Sequence, residues 1–220
     1  MLFDLKGKRR RTVQATYVAL AFLMVVGLVG AGVGSGVSGG VFDLFSGGSG
    51  KSTANKTVEN RIKAAQRTLV ADPRNQTALT TIVRSHYELA SVDTNQQTGK
   101  FGANGKKELA LAAVAWQRYV GVVKKPDPSL AAVMLNAFGK NGLNRPANAA
   151  AVAEIIATSR NDAQSYIRLT ACATLAGQTR KATLAGQQAV ALAPKGQAKA
   201  VQQYIQQSKT TSAAGALCSQ

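Results

Sequence analysis

The chain has 220 residues, 45% of them apolar but only 5% aromatic, and a formal net charge of +17. That length leaves room for one ordinary domain and an extension, and an alanine-rich, aromatic-poor composition favours helices packed closely on small side chains. The charge selects anionic partners, while a single histidine and two cysteines outside any CxxC pair exclude the usual zinc spacings.

Lys6, Lys8, Arg9, Arg10 and Arg11 form a basic cluster within residues 1–11, and residues 12–42 carry no charge. Within that stretch residues 17–34 are almost wholly apolar. As a helix they rise about 27 Å, close to the thickness of a bilayer's hydrocarbon core. Residues 12–36 are therefore predicted to form a transmembrane helix, with residues 1–11 as a cytoplasmic tail, because flanking positive charge stays on the cytoplasmic side. A cleaved signal peptide opens in a similar way, but the uncharged stretch is long for one and no A-x-A site ends it. Gly30 with Gly34, and Gly32 with Gly36, make GxxxG pairs, a spacing that admits homodimerisation through the span.

Residues 37–56 are rich in Gly and Ser and read as a juxtamembrane linker. The SGGSGKS run at 46–52 looks like a phosphate-binding loop but lacks it in substance. Phe45 stands where that motif needs its first Gly, and no predicted strand leads in.

From residue 57 the apolar positions follow a helical period broken by DPRN, KPDP and APKG turns. Residues 57–71 are predicted to form a lead-in helix. A first unit, 76–128, opens with Leu79, Ile82 and His86 on one helix, with His86 as a packing residue. It carries a polar loop insertion at 93–106 and closes with a helix bearing Ala115, Tyr119 and Val122. A second unit spans 129–162, marked by Leu135, Phe138 and the apolar run 149–156, and a third spans 163–196. Residues 196–208 would cap the stack, because end repeats must cover apolar faces. Residues 209–220 are predicted to be a flexible tail. Cys172 then falls inside a packed unit and Cys218 in the tail. A buried Cys172 with a free Cys218 is the expected arrangement, and pairing stays open in an oxidising compartment.

The third unit is 34 residues long, and its residues resemble a tetratricopeptide repeat. Tyr166 and Leu169 stand at the first-helix aromatic and Leu positions, Ala173 at the small site, and Gly177 at the turn. Ala182 and Ala189 take the second helix's alanine positions, and Pro194 closes the unit. Gly186 departs from the family, which prefers an aromatic there. The resemblance implies an all-α fold: a transmembrane helix, then a tetratricopeptide-like α-solenoid of about three helical-hairpin repeats with capping helices over residues 57–208. It also implies a concave groove for a partner's peptide or helix. By repeat position the groove would be lined by Thr77, Thr80, Arg84 and Tyr87, then by Leu130, Val133, Ala137 and Lys140, then by Gln164, Ile167, Ala171 and Thr174.

The whole is similar in architecture to single-pass bacterial proteins that attend the secretion translocon. The implied function is a membrane-anchored scaffold or adaptor that binds protein partners or exported clients at the outer face of the cytoplasmic membrane. No paired acid and base, metal set or cofactor motif is visible, so neither catalysis nor a cofactor is expected. The alternative is a structural envelope protein: from Asp43 onward 22 basic and nine acidic residues give a net +13, suited to anionic lipid or wall polymer. Nucleic acid is disfavoured by the predicted topology and by the lack of an aromatic stacking platform.

Overall fold

Turn chemistry sets most of the helix boundaries. The computed structural model describes residues 50–208 and 210–219, and among these it has nine helices and no strand. They are α1 (Gly50–Ala71), α2 (Gln76–Val92), α3 (Ala103–Val122), α4 (Pro128–Phe138), α5 (Pro146–Arg160), α6 (Ala163–Leu175), α7 (Thr179–Ala191), α8 (Ala198–Gln207) and α9 (Thr211–Ser219). The predicted transmembrane helix at 12–36, its basic flank from Lys6 to Arg11 and most of the 37–56 linker lie outside the described residues. Among the described residues no helix is long and apolar enough to cross a membrane.

Each α2, α4 and α6 start carries a side-chain oxygen that takes an otherwise orphaned amide. Asn75 accepts from the Ala78 amide at 2.9 Å, Asp127 from Ser129 at 2.8 Å and Asp162 from Ser165 at 2.8 Å. Pro128 and Pro146 sit at the first turns of α4 and α5, where a missing N–H costs nothing. Gly177 ends α6 at φ +68°. Its amide donates to Thr174, and the next amide, of Gln178, donates back to Ala173. That pair of bonds closes a left-handed helix end, a conformation glycine adopts without steric cost.

The helices pack mainly in sequence: α2 on α3, α4 on α5, α5 on α6 and α6 on α7. Alanine makes these approaches close. Ala112, Ala113, Ala131, Ala137, Ala150, Ala153, Ala157, Ala171 and Ala173 are all buried, interleaved with Leu79, Leu109, Leu130, Met134, Phe138 and Ile156 in one core. Gly186 on α7, the departure from the repeat pattern, has a packing reason. A Cβ there would lie 3.1 Å from Ile205 Cγ2, so the missing side chain lets α8 sit down on α7. His86 packs as expected, at 8% exposure, but it also has a partner: its Nδ1 lies 2.6 Å from Glu108 Oε2 on α3.

Several expectations need correction. Residues 50–56, predicted as part of the linker, already belong to α1, which therefore starts seven residues before the predicted lead-in helix. The C-terminal residues do not form a flexible tail: 211–219 are the helix α9, which packs on α6 and buries Ala214 and Cys218. Cys218 is not free either, because a disulfide joins it to Cys172. The physical reason is tertiary. A nine-residue helix is too short to be stable alone, but Ala214 and Cys218 lie four apart on one face and meet the alanine-lined side of α6. The 93–106 insertion also differs from a plain exposed loop. Its last four residues already belong to α3, and a bridge between Thr94 and Phe101 closes the rest into a hairpin.

Candidate partner-binding surface

Tyr87 stands in the last half of α2, on the side facing the 94–101 hairpin. Asn95 holds that hairpin together: its side-chain carbonyl accepts from the amides of Gln97 at 3.1 Å and Thr98 at 2.9 Å. Its own amide donates to Lys100 at 2.9 Å. Phe101 is thereby fixed with its ring centroid 6.1 Å from that of Tyr87 and tilted by 63°, an edge-to-face pair. The Phe101 amide donates to the Asn141 carbonyl at 3.1 Å, which ties the hairpin to the turn after α4. That turn exists because α4 stops at Phe138. Leu143 then donates back to Ala137 and Arg145 to Phe138, with Asn144 at φ +52°.

These segments enclose a recess of about 380 Å³, with Tyr87, Thr94, Phe101, Asn136, Lys140 and Asn141 in its wall. Burial pushes the Tyr87 phenol above its ordinary pKa, partly offset by a hydrogen bond with the Asn136 side chain. The hydroxyl therefore remains a neutral donor at physiological pH. The Thr94 hydroxyl in the same wall is buried and makes no hydrogen bond within the protein, an uncommon condition for a buried polar group. Gly139 and Lys140 also belong to a second recess of about 560 Å³, completed by Phe138, Leu175 and residues of α9. The two recesses thus lie on either side of shared wall residues, Gly139 and Lys140.

The groove residues predicted from repeat position separate into groups. Tyr87 and Lys140, 53 residues apart in sequence, meet at one recess. Thr77 is exposed, and Thr80 and Val133 are half-buried. Arg84 is exposed and makes an ion pair with Asp127 at 3.4 Å, bracing the α4 cap rather than lining a cavity. Leu130, Ala137 and Ala171 are 0% exposed and offer no surface to a partner, which corrects their assignment to a groove. Gln164 is exposed. Ile167 packs against the small cluster of Ala189, Val201 and Ile205, and Thr174 lines a separate cleft among α6, α7 and α8. The residues matched to the repeat pattern behave as packing positions: Leu169, Ala173 and Ala189 are buried, Tyr166 and Ala182 half-buried, and Pro194 follows the end of α7.

Phe101, Thr94, Asn136 and Asn141 were not singled out by the sequence. Phe101 carried a usable signal, as the one aromatic in an otherwise polar insertion. The amides carried none, because their role depends on which turn packs against which hairpin. Among the described residues no group of three or more His, Cys, Asp or Glu is placed to hold a metal ion. No protein-family model, curated protein or solved structure matches the chain.

Proposed function

We propose that the chain is a membrane-anchored helical-repeat scaffold that binds a segment of a partner protein at the recess lined by Tyr87 and Lys140. The supporting observation is the recess itself: two aromatic rings, two amides, an exposed lysine and a buried hydroxyl with no partner in the protein. Such a set suits a short polar segment with an acidic side chain, its main chain meeting the amides and its carboxylate meeting Lys140. The helical hairpins packed in series support the tetratricopeptide-like solenoid reading, in which the domain positions partners and catalyses nothing. The Cys172–Cys218 disulfide supports the extracytoplasmic side of the cytoplasmic membrane, since such bonds persist in oxidising compartments.

Co-purification of the tagged full-length chain from its native membranes tests this reading. Tyr87→Ala and Lys140→Glu are expected each to lower the recovered partner by at least about fivefold, the effect of roughly 1 kcal/mol at one contact. Gln164→Ala is expected to leave recovery unchanged. Equal recovery from all three variants, with loss on adding salt, would instead favour general electrostatic binding to an envelope polymer.

A further inference from the structure

Six large apolar side chains are exposed among the described residues, and three of them stand at one cleft. Val70 of α1 is 85% exposed, and Leu111 and Val114 of α3 are 49% and 59% exposed. They form opposite lips of a recess of about 300 Å³ between the two helices, floored by Leu79 and Ile82 of α2. Clustered exposed apolar side chains mark an interaction surface, whereas scattered ones do not.

The lining of this cleft carries a cation, Arg118, and no acid. Helix spacing puts Lys107, Leu111, Val114 and Arg118 in one row on α3, and Lys63, Arg67 and Val70 in one row on α1. All four cations are exposed, and none takes part in the Arg61–Glu88, Arg84–Asp127 or Lys181–Glu154 ion pairs. Of the nearby acids, Glu88 is paired with Arg61, and the Glu108 carboxylate is hydrogen-bonded to His86. Glu59 is the one acid on the α1 row, about 16 Å from Val70 along the axis.

We infer that the α1–α3 cleft docks on an anionic phospholipid surface, with Val70, Leu111 and Val114 entering the headgroup–acyl boundary and the basic rows meeting lipid phosphates. The inference rests on the reading that the chain is membrane-anchored, and it names the face turned to that membrane. Aliphatic side chains flanked by Lys and Arg are the composition of an interfacial surface. The tether is short enough: residues 37–49, between the predicted span and α1, reach at most about 45 Å when fully extended.

The test uses the full-length chain with a benzophenone amino acid in place of Val114 or, as a comparison, Leu184, an exposed aliphatic residue on α7. Vesicles of phosphatidylcholine alone, and of phosphatidylcholine with phosphatidylglycerol, are irradiated, and lipid adducts are read by mass spectrometry. Phosphatidylglycerol is expected to raise the lipid adduct at position 114 at least fivefold and to leave position 184 unchanged. Arg67→Gln and Arg118→Gln are each expected to lower it by about fivefold, as for one surface cation lost. Equal adducts at 114 and 184, or adducts at 114 only to protein, would overturn the docking face. Flotation reads the anchor separately. A chain that floats with both vesicles but gives no lipid adduct at 114 keeps the anchor and loses the docking face. A chain that floats only with phosphatidylglycerol and crosslinks at 114 keeps the docking face and loses the anchor.

Discussion

Removing the Cys172–Cys218 disulfide is expected to lower the melting temperature by about 8–16 °C. The bond spans 46 residues of sequence. Closing a loop of that size removes denatured-state entropy equivalent to about 4 kcal/mol in the chain-entropy picture, and each kcal/mol is about 2–4 °C in a domain of this size. The double change Cys172→Ala with Cys218→Ala is the cleaner variant. Cys172 is 0% exposed and alanine fits its apolar surroundings, whereas serine would bury a hydroxyl. The loss has a location. Without the bond, α9 is a nine-residue helix held by Ala214, the partly buried Leu217 and the side chain at 218, so its amides should exchange with solvent long before those of α3 or α5. Thermal unfolding followed by circular dichroism, with and without reductant, gives the comparison. An unchanged melting temperature would mean that the denatured chain gains little freedom from losing the link.

Phe138→Ala is expected to cost about 3–5 kcal/mol, the range for truncating a buried aromatic. Phe138 is 1% exposed and is the largest of the fully buried side chains among the described residues. It is also the last residue of α4, and its carbonyl accepts the Arg145 amide at 2.9 Å in the turn that carries Lys140 and Asn141. The cavity would therefore open beneath the candidate binding recess as well as in the core. Urea unfolding measures the effect, with Phe138→Leu, which keeps most of the volume, expected to cost less than half as much. A loss below about 1 kcal/mol from Phe138→Ala would show that the helices collapse into the space.

Much of the helical layout was legible because it is locally encoded. Asp72-Pro73 with Asn75, Asp127-Pro128, Asp162 and Gly177 mark helix ends through caps and turns, and those signals act within a few residues. The inserted hairpin and α9 were not legible, since each is fixed by what it packs against. The Thr94–Phe101 bridge leans on the Asn141 carbonyl, and α9 leans on α6 through Cys172. Pairings such as Arg84 with Asp127 and His86 with Glu108 join residues 43 and 22 positions apart, beyond the reach of helix periodicity. Repeat numbering also assumes a first helix of standard length. In α4 that helix has 11 residues and ends at Phe138. Lys140 therefore lies past its end, in the turn, and it reaches the recess by that route.

The most direct measurement is photo-crosslinking in living cells, with a photoreactive residue in place of Tyr87 or Lys140 in the full-length chain, followed by mass spectrometry of the adducts. Discrete protein adducts shared by both positions and absent at Thr77, which lies on α2 away from the recess, are the expected result. Adducts only to lipid or polymer at positions 87 and 140, with protein adducts appearing elsewhere on the surface, would contradict the scaffold reading and leave the domain as a basic envelope-binding module.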